Sequence, residues 1–146
     1  KQWIQFGGLK MDKEKQPGII CETILLAKLS FERKPAISDK PKIDLNLSAK
    51  NSISEDRKNL NIELTLSVVD KKESFNINCT MIGVFKVNSD EANMPLEKFS
   101  EVNGPAIILP YLREIVSNTT MRSGMFPVVI PPINVSALLH KNIDKT

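Results

Sequence analysis

The chain has 146 residues and a mass of 16.4 kDa, enough for one domain with a real core and too short for two ordinary ones. Its composition, 41% hydrophobic and 25% charged with a net charge of +3, is that of a soluble globular protein, and no apolar run reaches the roughly 20 residues needed to cross a bilayer. Basic and acidic residues interleave, as from Asp12 to Lys15 and from Asp70 to Glu73, without the basic stripe of a nucleic-acid binder, so neither membrane insertion nor nucleic-acid binding is expected.

The first ten residues, KQWIQFGGLK, mix charge, amide side chains and glycine, and lack the uninterrupted apolar stretch of a secretory signal peptide. A cytoplasmic protein is therefore expected. Met11-Asp12-Lys13 looks like a natural start, which sets residues 1–10 apart as an extension and assigns 11–146 to the domain proper.

Residues 19–33 are rich in β-branched and apolar side chains and stop at Lys34-Pro35, a pair that disfavours regular structure; they read as a first strand, with a short helix as the alternative. From 42 to 50, Ile43, Leu45, Leu47 and Ala49 alternate with polar residues, the period of two of a half-buried strand. The polar segment NSISEDRKN separates it from a third strand carrying Leu60, Ile62, Leu64, Leu66 and Val68 on one face. Asp70 to Glu73 makes a tight turn, and Phe75, Ile77, Cys79, Met81 and Phe85 mark a fourth strand, hairpin-linked to the third.

Past Val87 the alternation ends. A weakly helical stretch around Pro95 to Val102 precedes the main helix, which starts at Asn103 with Ile108, Leu112, Ile115, Val116 and Met121 near the 3.6-residue period. Pro105 suits its first turn, Pro110 predicts a kink, and Gly124 ends it. A proline-punctuated apolar loop follows, and a last short helix is expected near Ser136 to Lys141. The fold class is α+β: a four-stranded antiparallel sheet, a long kinked helix and a short C-terminal helix. Helices on one face leave the other needing cover, which oligomerisation would supply.

No catalytic constellation is visible. His140, the single histidine, sits near a polar terminus, the glycines form no phosphate-cradling loop, and metal-ligand spacing is absent. Cys21 and Cys79 read as buried thiols rather than a disulfide. Arg113 and Glu114 are adjacent on the main helix, so they point apart and read as structural or interfacial. Neither an enzyme nor a bound cofactor or metal is expected.

Pro110, Tyr111, Arg113, Glu114, Gly124, Phe126, Pro127, Pro132 and Asn134 stand in an order and spacing that resemble the C-terminal half of the SecB family of export chaperones. Leu29-Ser30-Phe31-Glu32 resembles that family's first-strand signature, and Gly83-Val84-Phe85 its fourth-strand glycine-aromatic end. The resemblance spans about residues 19–139. It implies a homotetramer, a dimer of dimers, whose apolar grooves hold extended segments of unfolded or aggregation-prone proteins without nucleotide. By position, the client-binding residues would be Phe31, Met81, Val84, Phe85, Met94, Leu96, Phe99, Met121, Met125, Phe126, Val128 and Ile130, the strand residues doubling as core. Met94, Leu96, Met125, Phe126 and Val128, outside the strands, are the preferred ones.

The sequence departs from the family's acidic character. Lys28 and Asn78 stand at positions the family fills with acidic residues, the sequence pI is about 8.9, and the terminal NIDKT is short and mixed. These departures loosen the tie to the translocation ATPase as a partner; the resemblance also implies SecB-like chaperones of toxin-antitoxin systems, which bind the antitoxin's C-terminal extension, and a basic, divergent member fits that service at least as well, with general delivery of preproteins to the translocation ATPase as the alternative. Residues 1–10 then read as an extension, a cloning remnant or a client-like peptide anchored by Trp3, Ile4 and Phe6.

Overall fold

Every alternating segment of the sequence forms a long strand in the computed structural model of the protein, which describes residues 3–6, 9–12, 18–88 and 93–143. Trp3–Phe6 (β1) and Leu9–Asp12 (β2) pair antiparallel as a ribbon with Ile4 opposite Met11, so that β2 runs across residues 10 and 11. Ile19–Arg33 (β3), Ile43–Ile53 (β4), Asn59–Asp70 (β5) and Phe75–Val87 (β6) build one antiparallel sheet in the order β3-β6-β5-β4. The last three form a meander. After β3 the chain crosses from one edge of the sheet to the other through residues 34–42.

The core lies on one face of this sheet. Leu60, Ile62, Leu64, Leu66 and Val68 of β5 and Phe75, Ile77, Cys79, Met81 and Phe85 of β6 are all buried there, as the period of two requires. Three helices cover it: Leu96–Glu101 (α1), Asn103–Arg122 (α2) and Val135–Ile143 (α3). Ile108, Leu112 and Val116 recur every four residues along the buried stripe of α2, which lies over β5 and β6, whereas α3 packs on β4. Phe99 of α1 meets Phe85 edge-to-face, with ring centroids 5.1 Å apart.

Two glycines let α2 approach closely. A β-carbon on Gly83 would fall 2.7 Å from Ile108 Cδ1 and 2.7 Å from Phe85 Cε2, and one on Gly104 would collide with Ile62 Cδ1. Pro105 is buried in the first turn of α2, where no backbone donor is missed, and Pro110 lies inside the helix, which is bent. Gly124, at φ +84°, follows the C-cap residue Ser123 and turns the chain out of the helix.

The strand expected over residues 19–33 forms with those bounds as β3. Its pairing with β6 shifts register between Cys21 and Thr23 and again between Leu26 and Lys28, so β3 carries irregularities that break simple alternation. Cys21, expected to be buried, is exposed on this edge strand; Cys79 is buried, and desolvation pushes its thiol up to about 11. Both thiols are free. The polar separator before β5 is also shorter than expected, because β4 continues to Ile53 and only residues 54–58 turn.

The Gly83 contact yields a stability prediction. Gly83→Val forces side-chain bulk between Ile108 and Phe85 and is expected to cost about 1–3 kcal/mol, measured as a lower urea midpoint with an unchanged slope.

Candidate functional site

Because α2 lies over β5 and β6, the helix-side residues of β3 are incompletely covered. Register places Leu26, Leu29 and Phe31 on the helix side, opposite the buried Met81, Cys79 and Ile77; Leu26 and Leu29 are exposed and Phe31 is half-buried. At the Arg33 end of this strand two irregular segments converge.

One is the strap after α2. Its backbone is held by side chains of the helix: Ser117 Oγ donates to Val128 O at 2.8 Å, Val128 N to Thr120 Oγ1 at 2.9 Å, and Arg113 Nε to Ile130 O at 3.0 Å. Val128 and Ile130 turn inward and are buried, whereas Phe126 and Val129 are 93% and 71% exposed. Asn134 then caps α3, its Oδ1 accepting from Ala137 N at 3.1 Å. Arg113 is thus a strap anchor, while the neighbouring Glu114 accepts from Asn118 Nδ2 on the exposed side.

The other segment is the crossover at residues 34–42. Arg33 fastens it to the helix, donating from Nη1 to Ser123 O at 2.6 Å, from Nη2 to Pro35 O at 2.9 Å and from Nε to Lys34 O at 3.0 Å. Ser38 Oγ reaches Asp70 Oδ2 at 3.2 Å. Asp70 is itself buried and accepts from both Ser74 N and Ser74 Oγ and from Lys72 N. These bonds, the Ser74 hydroxyl first, hold its carboxyl below the usual carboxylate range against the opposing effect of burial.

Between crossover and strap lies a groove of about 430 Å³ lined by Arg33, Ile37, Ser38, Asp39, Gly124, Met125, Phe126 and Pro127. A smaller crevice of about 280 Å³, lined by Pro110, Arg113, Glu114, Ser117, Val129 and Ile130, runs between α2 and the strap. Of the sequence-predicted residues, Met125 and Phe126 line the groove and Ile130 and its neighbour Val129 the crevice. Met121 is 56% exposed on the last turn of α2, and Met94 is half-buried. Met81, Phe85, Leu96, Phe99 and Val128 are core. Val84 points to the opposite, open face of the sheet, one residue out of phase with Phe85. The side chains of Trp3, Ile4 and Phe6, and that of His140, lie outside the described residues.

Sequence reasoning missed Arg33, Ile37, Ser38 and Asp39. Only the Lys34-Pro35 break hinted that the chain leaves the sheet there. Among the described residues no cluster of His, Cys, Asp or Glu could hold a metal ion, and no helix is long and apolar enough to cross a membrane.

The open face mixes amide, hydroxyl and charged side chains with apolar ones, Ile20, Leu25, Val69, Ile82 and Val84. Lys28 stands opposite Thr80 and Ser30 opposite Asn78, so the two positions that depart from acidic character do emerge on this face, and Lys50 faces Glu63 across β4 and β5.

The model of the family described as preprotein translocase subunit SecB matches residues 12–146. The chain belongs to the SecB family. SecB proteins are chaperones rather than enzymes. Among curated relatives, the SecB protein-export protein of Nitrosospira multiformis is 45% identical over 42 residues, 29% of this chain and 26% of that one. An uncharacterised protein of Methanocaldococcus jannaschii is 38% identical over 56 residues, 38% of this chain and 36% of its own length. The matched stretches thus span about a third or less of these relatives. The solved Mycobacterium tuberculosis SecB-like chaperone, in complex with a ChAD peptide from the HigA1 antitoxin, superposes with a TM-score of 0.68 at 15% identity, covering 79% of this chain and 87% of that one. It has the same fold.

Asp70 makes the crossover acid-sensitive. A carboxyl whose folded-state pKa lies below its ordinary value of 3.8 stabilises the fold above that value, and the contribution is lost as pH falls through the folded-state pKa. Stability is expected to be level from neutrality to about pH 5 and to fall below about pH 4, with Asp70→Asn flattening that decline; thermal unfolding of both forms across this range is the check.

Proposed function

We propose that this SecB-family protein is an ATP-independent holdase that works in the cytoplasm and seats apolar segments of unfolded or aggregation-prone proteins in the groove between crossover and strap. The observation that carries the reading is Phe126. A phenylalanine 93% exposed at the rim of an apolar groove leaves unclaimed the ~1.5–3 kcal/mol that burial of such a side chain brings. With Met125 beside it, the rim can repack around varied side chains, as a chaperone of many sequences requires.

The client we favour is the C-terminal extension of an antitoxin. Support comes from the shared fold with the M. tuberculosis chaperone, which holds an antitoxin peptide, and from the mixed charge of the open face. The second reading, delivery of preproteins to the translocation ATPase, draws on the description of the family itself. Direct binding of the purified protein to that ATPase, against binding to a cognate antitoxin's C-terminal peptide, separates the two.

A homotetramer completes the proposal. Ile107 and Tyr111 are exposed on the outer side of α2, and Leu26 and Leu29 on the helix side of the edge strand β3, leaving two apolar surfaces for two kinds of contact in a dimer of dimers. Multi-angle light scattering at micromolar concentration is expected to give four chains per particle; a monomer contradicts it.

Phe126→Asp and Met125→Asp are expected to weaken client-peptide binding by at least about tenfold, some 1.4 kcal/mol, and to abolish suppression of light scattering by a heat-unfolded client. The oligomer is expected to stay intact. If it dissociates instead, the strap is an interface and not a client site.

A further inference from the structure

The charges of the described sheet and helices are unevenly distributed along the strands. At the end where crossover, β5–β6 turn and α2 C-terminus meet, Lys34, Lys40, Lys42, Lys71, Lys72 and Arg122 are all exposed. They are close in the fold as well as in sequence: Lys71 N donates to Lys42 O at 2.7 Å and Lys34 N to Ser74 O at 2.8 Å, and Arg122 immediately precedes the Ser123 carbonyl that Arg33 grips. The acids at this end do not neutralise them. Asp70 is buried and consumed by hydroxyl and amide donors, which leaves the exposed Asp39 and Glu73. Glu32 and Asp44, the nearest acids on the strands, share the open face with Asn76 and Val69, away from the helix layer.

At the opposite end the balance is even, with Glu22, Glu55, Asp56 and Glu97 near Arg57, Lys58, Lys86 and Lys98, and Arg57 joined to Glu97 at 2.7 Å. Lys34 and Lys40 are the sequence neighbours of the groove-lining Arg33 and Asp39, so the excess positive charge lies at the same end of the sheet as the groove that Ile37, Met125 and Phe126 make apolar. An apolar groove with an excess of cations at its end of the sheet is complementary to one kind of chain: a short apolar run bordered by carboxylates.

We infer that the groove selects acidic-flanked apolar segments, anchoring their apolar side chains against Met125 and Phe126 while Lys34, Lys40 and their neighbours attract the flanking aspartates and glutamates. This rests on the holdase reading and adds a sequence preference to it. The apolar groove favours such a peptide over a nucleic acid, which would use the cations and leave Phe126 exposed.

The test uses the full chain and three peptides that share one Leu/Phe/Trp core, flanked by Glu, by Ser or by Lys, with binding followed by fluorescence anisotropy at low and high salt. The Glu-flanked peptide is expected to bind about fivefold to tenfold more tightly than the Ser-flanked one, the Lys-flanked peptide more weakly, and the spread to shrink as salt screens the cations. Lys34→Glu with Lys40→Glu, both exposed and checked for an unchanged thermal midpoint, is expected to remove the Glu preference and leave Ser-flanked binding as it was. Equal affinities, or a preference that survives the double substitution, overturn the inference while leaving the holdase reading standing. If neither the Ser-flanked nor the Glu-flanked peptide binds, that reading falls and takes this one with it. If a Glu-rich peptide without the apolar core, or a single-stranded oligonucleotide, competes as well as the Glu-flanked peptide, the cationic end is a general polyanion site and the inference is wrong.

Discussion

The contact of α2 with β5 and β6 is the constraint on which the remaining geometry depends. Gly83 and Gly104 remove the two side chains that would hold the helix off, so Ile108 sinks against β6 and Ile62 reaches the helix backbone. Once the helix is seated there it leaves β3 incompletely covered: Leu26 and Leu29 remain exposed on the helix side. A sheet twists, and one helix cannot follow all four strands. The uncovered edge and the groove at its Arg33 end are both consequences of where the helix had to go.

The fold was largely legible because its core strands obey a single period. Leu60 to Val68 and Phe75 to Phe85 alternate, every inward position but Gly83 carries an apolar side chain, and those residues are buried. β3 was less legible for a physical reason. Two register shifts rotate its side chains between faces, so a continuous apolar run conceals which residues point where, and Cys21 looked as buried as Cys79. The groove was half legible. Met125 and Phe126 announce themselves as large apolar residues next to a helix-ending glycine. Ile37, Ser38 and Asp39 belong to a segment without periodicity, and become groove wall only through the bond from Arg33 to Ser123, ninety residues along the chain.

The two walls differ in how they are held. The crossover hangs on hydrogen bonds with charged groups, those the Arg33 guanidinium donates and the one the Asp70 carboxylate accepts from Ser38, which are stronger than neutral ones and directional. Such bonds fix a loop that has no regular structure of its own. Met125 and Phe126, by contrast, lie between Gly124 and the first strap bond at Val128, on backbone with few partners. One wall is therefore held by several directional bonds and the other by few, a combination that would suit the proposed client groove, which has to accept different side chains while keeping its position.

The strap also meets a hazard peculiar to a protein that handles unfolded chains. An extended apolar segment at the surface is a template for strand addition, and a captured client would extend it. Here Val128 turns its amide and carbonyl to Thr120 and Ser117, and Ile130 its carbonyl to Arg113, so the inner edge is already used. Prolines at 127, 131 and 132 remove amide donors that a new strand would need. The motif Phe-Pro, apolar run, Pro-x-Asn then has a physical reading. It sets aromatic and aliphatic side chains outward for contact, denies the backbone to an incoming chain, and closes with an asparagine that caps the next helix. On the proposed function, clients would be engaged through side chains and released without unzipping a sheet.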